Sequence, residues 1–178
     1  MFRRLPLSLA LLALLLAACR PAAPAALPPP LALAEFNRNG ATITLVLEQD
    51  GQGGSVLAAT FTPDEADGHL YSKDLPIEGV DGLGRPTLLE LAPGSALQTL
   101  GDLQASVVAE SVEVASGLPA LPVYPAGPVT LRLPVRLPGQ ASAEQLLVTY
   151  MVCTPRGCYR PVVARAVDVQ VPAGTVEP

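Results

Sequence analysis

Histidine and cysteine are scarce in this chain, which has one His and three Cys in 178 residues. With Cys19 set aside for the reason given below, His69, Cys153 and Cys158 are too few soft ligands for a four-coordinate structural zinc site. No His follows Cys158, so the attachment pattern of a c-type haem is missing. No Ser/His/Asp set and no Gly-rich phosphate loop can be picked out. Basic residues are also few. Eleven Lys and Arg stand against 16 Asp and Glu, a formal net charge of −5, which argues against nucleic acid as a partner. Long apolar runs are lacking too. The longest, residues 5–18, is shorter than the roughly 20 residues that a transmembrane helix needs. Beyond it nothing reads as a convincing helix, and no stretch repeats.

What is present begins with Met1-Phe2-Arg3-Arg4, two positive charges ahead of that Leu- and Ala-rich run. Charge followed by a short apolar core reads as an export signal. It ends Leu16-Ala17-Ala18-Cys19, which resembles the bacterial lipoprotein signal, with residues 1–18 removed and Cys19 lipidated. The alternative is an ordinary secretory signal with a chance Cys. Loss of Arg3 and Arg4 leaves nine basic residues and a net charge of −7. Residues 19–34 follow as the lipidated Cys and a Pro/Ala tether, long enough in polyproline II to reach roughly 45 Å. The chain is thus expected in the cell envelope, exported and anchored by lipid to one face of a membrane.

Residues 35–174 read as one domain. β-Branched runs alternate with turn clusters such as Asp50-Gly51-Gln52-Gly53-Gly54 and Pro125-Ala126-Gly127-Pro128. The expected strands are 41–49, 55–61, 69–73, 87–91, 105–115, 129–137, 144–153 and 158–171. Along 129–135, Val129, Leu131, Leu133 and Val135 alternate with Thr130, Arg132 and Pro134, giving one apolar face. Short strands with regular turns predict an all-β fold, an immunoglobulin-like β-sandwich with a hairpin near its end.

That hairpin carries the chemistry. In Tyr150-Met151-Val152-Cys153-Thr154-Pro155-Arg156-Gly157-Cys158-Tyr159-Arg160-Pro161, two strand-like runs meet at a turn supplied by Pro155 and Gly157. A four-residue loop sets Cys153 opposite Cys158, at about 5.5 Å between Cα atoms, which suits a disulfide. Cys19 being lipidated, these two are the even pair expected of an exported protein. A loop this short stabilises the fold by only about 2 kcal/mol, so from spacing alone staple and reagent both stay open. Arg156 and Arg160 sit in the one stretch, 131–178, where Arg outnumbers carboxylates, and positive charge favours the reactive thiolate. Tyr150, Val152 and Tyr159 work the other way if they bury the sulfurs.

The segment around the two Cys resembles the active-site segment of the N-terminal periplasmic domain of the thiol:disulfide interchange protein DsbD. Asp67-Gly68-His69-Leu70-Tyr71-Ser72-Lys73, Gly84-Arg85-Pro86-Thr87-Leu88-Leu89-Glu90-Leu91 and Val123-Tyr124-Pro125-Ala126-Gly127-Pro128-Val129-Thr130-Leu131 resemble further stretches of that family, in the same order. The resemblance spans residues 55–171. It implies an immunoglobulin-like domain whose redox-active disulfide relays reducing equivalents without a bound cofactor, as some members do in cytochrome c biogenesis. It implies that Cys158 forms the mixed disulfide with a partner and Cys153 resolves it. The implied partners are thioredoxin-like or DsbD-type membrane redox proteins, met by a monomer. It also places a shielding cap at Ser116-Gly117-Leu118-Pro119-Ala120, where Leu118 replaces the usual aromatic.

Two further side chains are candidates to flank the site. His69 is in range to tune a thiol, though packing on a strand is the plainer role. Tyr71 is either a flank or core. The acidic cluster Asp64, Glu65 and Asp67 reads as a solvated turn. The competing function is a non-catalytic envelope binding or assembly module whose disulfide only pins the hairpin.

Overall fold

The structure is a computed structural model that describes residues 27–113, 117 and 119–174. The export signal, Cys19 and Leu118 lie outside the described residues. Fourteen strands follow in chain order: β1 Leu31–Arg38, β2 Ala41–Gln49, β3 Ser55–Pro63, β4 His69–Leu70, β5 Leu88–Leu91, β6 Gln98–Thr99 and β7 Gln104–Ala105, then β8 Glu110–Val112, β9 Leu121–Val123, β10 Val129–Arg136, β11 Ser142–Tyr150, β12 Val152–Thr154, β13 Gly157–Cys158 and β14 Val162–Val171. Among the described residues there is no helix.

Two antiparallel sheets face each other. One runs β1-β2-β3-β10, with β6 and β7 both on the outer edge of β10; the other runs β14-β11-β5. Alternation makes the core. Ala41, Ile43, Leu45 and Leu47 point inward from β2, Leu57, Ala59 and Phe61 from β3, and Val129, Leu131, Leu133 and Val135 from β10. They meet Leu89, Leu146, Val148, Tyr150, Val169 and Val171 of the other sheet in one apolar cluster. The outward residues pair across strands instead, as Thr60 and Thr130 do through their hydroxyls at 2.9 Å. The chain is therefore an all-β, immunoglobulin-like sandwich, as its periodicity predicts.

The strand expected at 69–73 is only His69–Leu70, and β6 is an additional strand; three further departures have a clear cause. The first strand begins at Leu31, so Leu31–Ala34 belong to β1 and not to the tether; pairing with β2 from Leu31↔Leu47 onward holds them in the sheet. The expected strand 105–115 is broken. Ser106 ends the ladder because its hydroxyl accepts the Thr130 N–H at 3.0 Å, a place a backbone carbonyl would otherwise take. The chain resumes as β8, which pairs with an unexpected strand, β9. Finally, the expected strands 144–153 and 158–171 are each interrupted. A register shift between Val148 and Tyr150, with Ala164 at φ 44° and its N–H donating to the Thr149 hydroxyl at 2.9 Å, makes a bulge that bends the pair. Beyond the bulge the chain leaves the β14-β11-β5 sheet and builds a small one, β13-β12-β4.

Candidate functional site

The small sheet fixes the sulfurs. Its register opposes Cys153 to Cys158 on one side and to His69 on the other. Directly opposed residues share a face, so Cys158, Cys153 and His69 form a row across three strands. Cys153 and Cys158 are joined by a disulfide with Cα atoms 4.0 Å apart. This is closer than the spacing expected above, and the hydrogen bonding explains it. The Tyr159 N–H donates to the Val152 carbonyl at 2.9 Å, so the neighbouring pair is the bonded one. The cysteines occupy the narrower non-bonded position.

The two sulfurs live in different surroundings. Cys153 is 2% exposed, whereas Cys158 is exposed. Cys153 lies in a second apolar cluster, separate from the main core, with Tyr71, Leu75, Leu121 and Val123, onto which Val80, Leu83 and Met151 pack. The Tyr71 hydroxyl reaches its Sγ at 3.5 Å. Burial pushes the Tyr71 phenol up from its ordinary value, so at neutral pH it keeps its proton and remains able to donate to sulfur. Burial pushes the His69 imidazole down. It is therefore neutral at pH 7, its ring edge-on to Tyr71 at 6.0 Å, and brings no positive charge to the thiol.

Cover over Cys153 comes from Leu121 and Val123 of β9 and from residues 74–85, which lie between the expected strands 69–73 and 87–91. Arg85 holds this loop together. Its Nη1 donates to the carbonyls of Glu78 at 2.8 Å, Gly82 at 3.2 Å and Gly84 at 2.6 Å. The loop thereby adds Leu75, Val80 and Leu83 to the cluster that holds Tyr71 and Cys153. The signal was present in the turn-formers Gly79, Asp81-Gly82 and Gly84, but nothing local says what such a loop covers. Of the cap expected at 116–120, Gly117, Pro119 and Ala120 are exposed.

At the Cys158 rim, Arg156 pairs with Glu65. The Tyr159 hydroxyl donates to the same carboxylate at 2.8 Å. Glu65, Thr154, Arg156, Gly157, Cys158 and Tyr159 enclose a cleft of about 240 Å³. Two sequence readings change here. Glu65 is not a solvated turn carboxylate but a tie between both flanks of Cys158. Arg156, in turn, is not a free positive charge, because Glu65 neutralises it. Tyr150 stands apart from this rim in the main core, fully buried, edge-on to Phe61 at 5.5 Å. Its hydroxyl donates to the Arg38 carbonyl at 2.7 Å, and burial pushes its pKa up to about 12.

The turn between β1 and β2 braces the site, a role the sequence reading missed. Asn39 and Gly40 both have positive φ, 45° and 84°, as the turn of a tight hairpin requires. The Asn39 side-chain amide donates to the Arg160 carbonyl at 2.9 Å. The Tyr159 ring lies so close over Gly40 that an added Cβ would sit 2.5 Å from it. An Asn-Gly pair is the strongest short hairpin signal in a sequence, and it would have located the turn, though not its contact with residues over 100 positions away.

No protein-family model and no curated protein matches the chain. Among solved structures, the crystal structure of the Neisseria meningitidis DsbD N-terminal domain in the reduced form is similar. It has a TM-score of 0.44 and 16% sequence identity, over 81% of this chain and 86% of that one. A likeness this distant says nothing about chemistry, which rests on the hairpin itself. Among the described residues, no group of three or more His, Cys, Asp or Glu side chains gathers where it would hold a metal ion.

Proposed function

We propose that this chain exchanges thiols and disulfides in the cell envelope through Cys153 and Cys158, anchored by lipid at Cys19. The observation that carries the reading is the unequal exposure of two bonded sulfurs on one hairpin. A partner thiolate reaches Cys158 and attacks its sulfur. The S–S bond breaks, and Cys153 leaves as a thiolate that takes a proton. A second thiolate on the partner then attacks the partner's own sulfur in the mixed disulfide and releases Cys158. Two electrons pass to this chain and the partner dithiol becomes a disulfide; the reverse sequence reduces the partner. Cys153 is the resolving residue, kept from outside thiols by Tyr71 and the 74–85 loop. Thiolate chemistry of this kind calls for no bound cofactor, and the partner is a thioredoxin-like or DsbD-type membrane redox protein that meets a monomer.

The test is trapping. Cys153→Ala should arrest a mixed disulfide at Cys158 by attack of its thiolate on the disulfide form of a thioredoxin-like partner, and Cys158→Ala should trap little, because the remaining sulfur is buried. Equal trapping by both variants would remove the assigned roles. A reduction potential far below about −300 mV with no exchange would make the bond structural. One observation favours that competing reading, a binding or assembly module: Glu65 neutralises Arg156, the basic side chain inside the cysteine loop. Cys153→Ser combined with Cys158→Ser separates the two, since the module would lose stability but keep its binding.

A further inference from the structure

Beside the Cys158 rim lies a second cleft, of about 280 Å³, bordered by Arg38, Asn39, Arg160, Val163 and Arg165 among others. Its three arginines come from the end of β1, the segment after β13, and β14. We propose that this cleft receives an acidic segment of the redox partner, next to the partner's reactive cysteine. The proposal rests on the exchange reading above and adds to it the chemistry of the partner's surface.

Three observations support it. First, the charge is out of place. The chain is net negative, yet three guanidinium groups gather here. The four ion pairs among the described residues use Lys73, Arg85, Arg132 and Arg156, so none of the three is neutralised by a carboxylate. Second, the nearby carboxylates are engaged elsewhere. Glu65 binds Arg156 and Tyr159, Asp64 accepts from the Asn37 amide at 2.7 Å, and Glu35 accepts from Thr44 at 3.2 Å. Third, Arg165 is held ready. Its guanidinium lies over the Phe36 ring at 4.9 Å, a cation–π contact, and its Nε is buried with no hydrogen-bond acceptor. Guanidinium forks suit carboxylates in particular. Arg160 is two residues from Cys158, so a segment seated here brings its own thiol to the exposed sulfur.

The experiment uses the oxidised full chain and three thiol probes: dithiothreitol, a pentapeptide with Cys flanked by two Glu on each side, and the same peptide with Lys in place of Glu. Rates are normalised to thiolate. At low salt the Glu peptide should react about tenfold faster than the Lys peptide, the scale of electrostatic steering. At about 0.5 M salt the advantage should collapse. Arg165→Glu should bring the ratio toward unity while the dithiothreitol rate holds. Arg38→Glu, at a position whose side chain makes no described hydrogen bond, does the same if the first variant fails to fold. Equal rates for the two peptides would overturn the proposal. So would a dithiothreitol rate that falls in step with the peptide rate, or an arginine effect seen only as loss of binding to vesicles of anionic phospholipid. No reaction with any probe, dithiothreitol included, would instead overturn the exchange reading itself.

Discussion

Two glycines with the same backbone angle separate the brace on the cysteine hairpin from the general cost of a strained turn. Gly40 and Gly53 both have φ 84°, one at each end of β2. An Ala at that φ costs about 1–2 kcal/mol in either place. Around Gly53 an added Cβ meets nothing within 4 Å, whereas at Gly40 it would lie 2.5, 2.6 and 2.8 Å from three ring atoms of Tyr159. The ring has to retreat by about 1 Å to regain ordinary contact. That movement breaks the Tyr159 hydroxyl bond to Glu65 (2.8 Å), worth about 1 kcal/mol, and loosens apolar packing worth up to about 1 kcal/mol more. In urea unfolding of the oxidised protein, Gly40→Ala should therefore lose about 1–2 kcal/mol more than Gly53→Ala. With Tyr159→Ala in the background, Gly40→Ala should fall to the Gly53→Ala value, which a double-mutant cycle reads directly. Equal losses for the two glycine variants, or a Gly40 effect indifferent to residue 159, would refute the idea that the first hairpin braces the cysteine hairpin.

Two further outcomes follow from the site and the core. Leu75→Ala should cost about 2–3 kcal/mol; in the reduced protein it should raise iodoacetamide labelling of Cys153 toward that of Cys158, and a Cys153 as protected as before would show that the 74–85 loop is not its cover. Glu144, buried in β11, accepts from the hydroxyls of Ser142 and Ser95, each at 2.6 Å, and from the Ala96 N–H at 3.0 Å. The Ser142 bond first, then those from Ser95 and Ala96, hold its carboxyl below the ordinary value of 4.5 against the opposing effect of burial. A depressed folded-state pKa stabilises above the unfolded value and is lost as pH falls through the folded one. Thermal midpoints should accordingly drop as pH falls below about 4.5, with a shallower drop in Glu144→Gln; parallel curves for the two proteins between pH 5 and 3 would remove Glu144 from that account.

The sequence discloses what depends on near neighbours. The alternation along Val129–Arg136 predicts its inward and outward residues one by one, because a strand's period is set by the backbone alone. The facing of Cys153 and Cys158 follows from loop length in the same way. What stayed hidden depends on contacts between distant parts. The 74–85 loop reads as turns, and only its packing on Tyr71 makes it a cover. Glu65 reads as one of three solvated carboxylates until the fold brings Arg156 and Tyr159 to it from some 90 residues away. Tyr150 next to Cys153 invites a role at the sulfurs, but the strand alternation and the bulge at Thr149 send it to the main core instead.

Whether a disulfide is a staple or a reagent depends on what else holds its hairpin. Here the covalent link contributes only about 2 kcal/mol through loop entropy, and the non-covalent ties are numerous. β12 pairs with β4, Tyr159 is tied to Glu65 and seated over Gly40, Asn39 grips the Arg160 carbonyl, and Tyr150 fixes the strand just before the hairpin to Arg38. A hairpin held this firmly from outside gains little shape from its own S–S bond. Its geometry therefore does not rest on that bond alone. A staple would be placed where the fold is weak. This bond sits where the fold is already held, with one sulfur covered and the other open, and that arrangement suits exchange better than reinforcement.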